Sequence, residues 1–416
     1  MAALLRWVRG LSRRAPLAPL RFPTTGFDVI DDSYIVEEEL FDGLRKGHFY
    51  PVRIGDVYAS KYQVLGKLGF GSTSTVWLAQ NLQEHNHVAL KIYARGEESY
   101  NNEFHMYERI SAANRTHPGS RHFAAVLDTF VLPRPGGDHH CLVQKPMWDS
   151  WRQLALRNHA NRFTSDLLKA GLKHLFRALD FLHTECKIVH TYIKADNILH
   201  KIVDDSILEA FTQAELETPV PRKIVGEDII YLSRQFEVPK MIGNILLSDF
   251  SAAVLGDEKH NHDAQPIVYR SPEVMLGIEW SYPIDIWNVG AMIWDLLQDR
   301  HLFHGEDPDG KGYSTRAHLA EVIGLLGPPP ADLVQRGARS SEFFTSDGQW
   351  KAAVKVPRHA SFEKSVFYVE GKEKQAFIKF VRGMLQWRPE DRKTAKQLLN
   401  DPWLEPSPEL LKTLRN

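Results

Sequence analysis

The chain has 416 residues, with 51 Lys and Arg against 52 Asp and Glu, for a formal net charge of −1 at pH 7. That length can bury a large core spread over two or three lobes, and so even a charge sets up no global field for nucleic acid or an anionic membrane. Two cysteines, Cys141 and Cys186, exclude a disulfide framework and a Cys-rich metal site, and no apolar run reaches the ~20 residues of a membrane span, which leaves a soluble enzyme or binding module of a reducing compartment.

Residues 1–27 stand apart. Arg6, Arg9, Arg13, Arg14 and Arg21 occur with no acidic residue before Asp28, and Leu4, Leu5, Trp7, Val8 and Leu11 share a helical face. The pattern fits a mitochondrial presequence; the alternative is a basic tail cut off by Pro16, Pro19 and Pro23. Residues 28–59 carry the acidic triplet Glu37-Glu38-Glu39 and then Tyr50-Pro51-Val52-Arg53-Ile54-Gly55-Asp56. Their aromatic and Pro content reads as an extended lead-in that lies across a lobe; the alternative, which composition alone favours, is an ordinary linker.

Residues 60–147 read as a β-rich lobe. Tyr62–Ala79 alternates like two strands around the turn Gly69-Phe70-Gly71-Ser72-Thr73-Ser74-Thr75-Val76, of the form G-x-G-x-x-S-x-V. Glycines there let the backbone come close to phosphate oxygens and offer free N–H groups. Val88-Ala89-Leu90-Lys91 follows, a strand that ends in lysine 22 residues after Gly69. A helical pattern then runs from Ser99 to Ile110, with Phe104, Tyr107 and Ile110 on one face and Glu103 beside it. Cys141–Met147 is a strand that runs into a break at Pro146, which lacks a donor.

Residues 148–405 read as a larger, mainly helical lobe. Leu167, Leu168, Leu172, Leu175, Leu179 and Leu182 make one amphipathic helix that leads into Lys187-Ile188-Val189 and then His190-Thr191-Tyr192-Ile193-Lys194-Ala195-Asp196-Asn197. Ser248-Asp249-Phe250-Ser251 lies far beyond, with 52 residues from Asn197 to Asp249, so an insertion is expected at about 200–245. Downstream come Tyr269-Arg270-Ser271-Pro272-Glu273, Trp280-Ser281-Tyr282-Pro283, Asp285-Ile286-Trp287-Asn288-Val289-Gly290 and Trp387-Arg388-Pro389-Glu390-Asp391-Arg392. Glu306, Asp307 and Asp309 form an acidic cluster after Phe303, either a solvated loop or a dock for a basic peptide. Residues 406–416 are a tail.

Taken in this order, the motifs resemble those of the protein kinases, over residues ~60–405. The resemblance goes further, to the SR-protein kinases (SRPK) and their short fungal-type members. Its carriers are Tyr50–Asp56, Ser74–Ala79, His190-Thr191, Lys194–Leu199, Val268–Glu273, Trp280–Pro283 and Tyr313–Leu319. It implies an α+β bilobal kinase fold, Mg²⁺ and ATP as cofactors, a cytoplasmic and nuclear location, and serines in Arg/Ser-rich proteins as substrates. By the same resemblance Gly69, Phe70, Gly71, Ser72, Thr73, Ser74, Val76 and Ala89 surround ATP. Lys91 pairs with the phosphates and with Glu103, and Lys145 and Met147 face adenine. Asn197 and Asp249 hold Mg²⁺. Lys194 serves the transfer, while His190, Glu273, Asp285 and Arg392 hold the frame.

One position departs from the family pattern. Tyr192 stands where protein kinases carry the aspartate that accepts the substrate hydroxyl's proton. A tyrosine titrates near 10 and an aspartate near 3.9, so the phenol is nearly useless as a base at neutral pH. Loss of a positioned base typically costs ~10²–10⁴ in rate. Two readings follow: an SRPK-like kinase with impaired transfer, or an ATP-binding pseudokinase that scaffolds basic partners. Between Ser251 and Tyr269 there is no Ser, Thr or Tyr, and Thr191 replaces the arginine that would receive a loop phosphate. Both features predict readiness without loop phosphorylation.

Overall fold

The computed structural model describes residues 15–41 and 47–406. The chain divides into two units, residues 1–101, 124–148 and 201–243 in the first and 102–123, 149–200 and 244–416 in the second. The helical face expected around Leu4–Leu11 and the tail at 407–416 lie outside the described residues.

The first unit is built on an antiparallel sheet of β1 (Val57–Tyr58), β2 (Tyr62–Phe70), β3 (Ser74–Asn81), β4 (Asn86–Tyr93), β5 (Val126–Leu132) and β6 (His139–Gln144), in the order β1-β2-β3-β4-β6-β5. Val64, Trp77, Ala79, Val88, Leu90, Ile92, Cys141 and Val143 form its core together with Val220 and Tyr231 of the insertion. β2 carries irregularities in register between Val64 and Gly66 and between Lys67 and Gly69. Gly66 is required by packing, since a Cβ there would stand 2.7 Å from the Phe211 ring.

Phe211 belongs to the helix Ser206–Glu217, which the insertion follows with a hairpin pairing Arg222–Val225 with Asp228–Tyr231. The sequence reading counted these residues with the larger lobe. They pack in the first unit instead, because Phe211, Val220 and Tyr231 are apolar groups buried against β2 and β3. The lead-in is no plain linker either. Asp28–Ile30 runs beside Arg222, with Arg222 N–H donating to Asp28 O at 3.1 Å and Ile30 N–H donating to Arg222 O at 2.9 Å. Residues upstream are also tied down. Gln63 of β2 accepts from Leu20 N–H at 2.8 Å and donates to Leu20 O at 2.7 Å, and Leu17 N–H donates to Leu82 O at 2.8 Å. Among the described residues before Asp28, Leu17 and Leu20 are thus held against the first unit.

The second unit is mainly helical. Ser165–Phe181 starts at Thr164, whose hydroxyl accepts from Leu167 N–H at 3.3 Å, an N-cap that satisfies one otherwise orphaned donor. Lys187, at φ +55°, ends the turn that follows and delivers the chain to Ile188–Val189, which pairs with Val254–Leu255. Ile198–Lys201 pairs with Ile245–Leu247, matching Ile198 to Leu247. The helix Pro283–Gln298 is buried nearly all round, as a helix apolar on every face must be. Trp294, Phe377, Phe380 and Trp403 form an aromatic cluster beneath it. The fold is α+β, a smaller sheet-based unit and a larger helical one.

Candidate active site

The functional residues fall into two groups, one in each unit. In the second unit Asp285, fully buried, accepts from His190 N–H and Thr191 N–H, both at 2.8 Å, and meets His183 Nε2 at 2.9 Å. One carboxylate thereby fixes the backbone of two consecutive loop residues. His190 Nε2 lies 3.0 Å from Ser248 O, and its ring packs on Phe250 at 4.9 Å between centroids. Phe250, also fully buried, touches Tyr107 and Phe123.

This packing brings Asn197 to Asp249. Ser248 N–H donates to Asn197 O at 3.0 Å, and Asp249 is the next residue. Asn197 Nδ2 donates to Tyr192 O at 2.9 Å, so its amide oxygen is the atom left to offer a cation. Asp249 is held at φ +66° and Thr191 at φ +67°. Positive φ in residues with a Cβ costs energy and concentrates at functional sites. Ser251 Oγ donates to Asp249 Oδ1 at 2.9 Å, and Thr191 Oγ1 to Ala252 O at 2.9 Å. Thr191 thus ties the loop to the start of the segment at 251–269 through a neutral bond.

Tyr192 is half-buried. Its backbone is anchored on both sides, by Asn197 at the carbonyl and by its N–H to His190 Nδ1 at 3.3 Å. Lys194 Nζ lies 5.1 Å from the centre of its ring, a cation–π contact in place of an ion pair.

In the first unit Gly71 N–H donates to Ser74 O at 2.8 Å and closes the Gly-rich turn. A Cβ at Gly69 would meet nothing within 4 Å, and at Gly71 only Ser74 O at 3.9 Å. Neither glycine has a positive φ. Neither packing nor backbone conformation requires them, and glycine there leaves room for the close approach of a ligand. Phe70 and Thr73 are half-buried, Ser72 is exposed and Ser74 is buried. Val76 is opposite Lys91 in the β3–β4 register, and Ala89 is opposite Gln144. Lys145 and Pro146 follow β6, and Met147 opens the strand Met147–Ser150. Lys91 and Glu103 stand in different units; Glu103 is 1 % exposed on the helix Ser99–Ala112.

The framework pair is complete. Arg392 Nη1 and Nη2 lie 2.6 Å from Glu273 Oε1 and Oε2, with both side chains wholly buried. Arg392 also donates to Pro283 O at 3.0 Å and Gln386 O at 3.1 Å. The acidic cluster differs from a row of carboxylates turned to solvent. Arg316 of the helix Thr315–Leu326 engages Asp307 at 2.7 and 2.9 Å and also binds Asp309. Its guanidinium holds the Asp307 carboxyl well below the usual carboxylate range. The loop's charge is largely balanced from within, and only Glu306 keeps an exposed carboxylate with no ion pair among the described residues.

Two residues went unnoticed in the sequence. Asn102 Nδ2 donates to Ser251 O and Ala253 O, both at 2.9 Å. Gln265 accepts from Ser271 N–H at 2.8 Å and donates to Ile284 O at 2.9 Å. Asn102 clasps the start of the segment at 251–269 by its backbone, and Gln265, inside the segment, ties its far end to Ser271 and Ile284. Asn102 adjoins Glu103, which is the one signal that could have found it.

This constellation, on this fold, defines a protein kinase. The protein kinase domain model matches residues 62–404. A serine/threonine protein kinase of Aspergillus fumigatus is 42% identical over 395 residues, 94% of this chain and 96% of its own. A serine/threonine-protein kinase SRPK of Physarum polycephalum is 31% identical over 413 residues, 91% of this chain and 94% of its own. A crystal structure of a kinase domain, at 20% identity, superposes with a TM-score of 0.67 over 86% of this chain and 99% of that one. The chain belongs to the protein kinase family, and within it to the serine/threonine kinases related to SRPK. Among the described residues no helix is long and apolar enough to cross a membrane.

Proposed function

We propose that the chain binds Mg-ATP and transfers its terminal phosphoryl group slowly to serine hydroxyls of Arg/Ser-rich proteins. The observation that carries this reading is Tyr192, set in a loop whose backbone Asp285, His190 and Asn197 still hold. Relatives named SRSF protein kinase support the substrate class.

The residues present fit the cofactors. Mg²⁺ takes one or two protein oxygen ligands and completes its shell with phosphates and water, and the amide oxygen of Asn197 and the carboxylate of Asp249 are of that kind. Asn197 and Asp249 would be those ligands, and Gly69–Ser74 with Lys91 would hold the phosphates. When bound, Mg-ATP supplies the phosphoryl group and neutralises its charge. Lys194 would stabilise the transferred group from the loop. Tyr192 can donate a hydrogen bond to the substrate hydroxyl but cannot take its proton at neutral pH. Phosphoryl transfer depends mainly on positioning and electrostatics, so the reaction is slowed and not abolished.

A second reading, an ATP-binding pseudokinase that scaffolds Arg/Ser-rich partners, is favoured by the same phenol. The test is transfer of label from [γ-³²P]ATP to an Arg-Ser repeat peptide, beside Lys91→Met and a peptide with alanine in place of arginine. Slow serine labelling that needs both Lys91 and the arginines is expected. ATP binding with no labelling above Lys91→Met would favour the scaffold.

A further inference from the structure

The triplet Glu37-Glu38-Glu39 is folded onto the first unit, and its targets are unusual. Lys67, on β2 two residues before Gly69, has a wholly buried side chain. A buried ammonium must be paired and hydrogen-bonded to be tolerated. It is bound by Glu38, lies 3.2 Å from Glu37, and donates to Tyr231 O at 3.1 Å. Glu37 also accepts from Ser233 N–H at 2.9 Å and Ser233 Oγ at 2.7 Å. Glu39 takes Lys223 at 2.9 and 3.1 Å. The lead-in and the insertion therefore close on the same lysine, and the insertion's Arg234 N–H donates to Lys67 O at 2.9 Å.

The contacts continue into the Gly-rich turn. Lys67 Nζ lies 5.4 Å from the Phe70 ring centre, and Phe41, at the end of the acidic helical turn, meets Phe70 edge-on at 6.0 Å. Phe70 stands between Gly69 and Gly71, the two glycines that packing does not require. Glu37 holds φ +55° in this arrangement, a conformation disfavoured for a residue with a Cβ and kept where surrounding contacts over-determine it.

We propose that residues 37–41 are a positioning clamp for the Gly-rich turn. Glu37 and Glu38 act through Lys67, and Phe41 acts through Phe70, to set where the turn's N–H groups meet nucleotide phosphates. The inference rests on the nucleotide-binding reading of that turn.

Calorimetric titration of the full chain with Mg-AMP-PNP, and separately with adenosine, tests it. Phe41 is 37% exposed, so Phe41→Ala should leave the melting temperature nearly unchanged. It should raise the Kd for Mg-AMP-PNP about three- to tenfold, the scale of one lost aromatic pair, and leave adenosine, which has no phosphates, unaffected. Phe41→Tyr should restore the wild-type value, and Lys67→Met should shift the same ratio further. Equal weakening of both ligands, or no change in either, would overturn the clamp while leaving the kinase reading intact. Wild-type protein that binds adenosine and Mg-AMP-PNP equally would remove the phosphate role of the turn, and the clamp with it.

Discussion

At the scale of single residues, backbone and side chain serve different ends in this site. Tyr192 is anchored in the loop through its peptide groups, while its side chain presents a phenol to Lys194. The Glu273–Arg392 pair is the opposite case, side chains whose whole value is structural. Both are fully buried and every near polar group on them is used. Arg392→Ala leaves an uncompensated buried carboxylate, so it should cost about 3–5 kcal/mol. Urea unfolding followed by tryptophan fluorescence would read this as a lower midpoint. An unchanged midpoint would remove the pair from the framework.

At the scale of elements, the segment at 251–269 is held by neutral hydrogen bonds and ring contacts together with ion pairs, Lys259–Glu279 at 3.2 Å and Asp263–Arg270 at 3.6 Å, none of which involves a phosphate. Asn102 binds its first carbonyls and Thr191 binds Ala252 O. Further along, His260 and His262 pack on Trp280, at 4.9 and 5.0 Å between centroids, and Gln265 closes the end. Phosphatase treatment of the purified protein should therefore leave peptide transfer unchanged; a large loss would contradict this. Elements whose signal is local were legible in the sequence. The strands around Gly69, the helix bearing Glu103 and the strand before His190 all lie where periodicity put them. Composition leaves the lead-in open between a segment lying across a lobe and a linker, because Glu37-Glu38-Glu39 looks solvated until Lys67, Lys223 and Ser233 arrive from elsewhere in the chain. The pairing of Asp307 and Asp309 with Arg316 is hidden for the same reason. Composition cannot show which charges meet.

At the scale of the whole molecule, two buried imidazoles set a pH response. Burial pulls His122 down to about 4 and His318 to about 3. In the unfolded chain both protonate below about 6.5. Between pH 6.5 and 4 the unfolded state therefore binds protons that the folded state refuses, and stability falls as pH falls, by on the order of 3 kcal/mol for each. Thermal melts at pH 7.5 and 5 should show a clear drop at the lower pH, reduced in His122→Gln; equal melting temperatures would contradict the burial argument. The grouping of residues 201–243 with the first unit also belongs to this scale. Nothing near Asn197 in sequence announces it, because Phe211 and Tyr231 find their partners on β2 and β3, more than a hundred residues earlier.

The account turns on one side chain, and kcat for an Arg-Ser peptide in wild type and Tyr192→Asp measures it most directly. A rate ~10²–10⁴ higher in the variant, with the Kd for Mg-AMP-PNP unchanged, is the predicted result. Equal rates in the two proteins would contradict the claim that the missing base is what limits transfer.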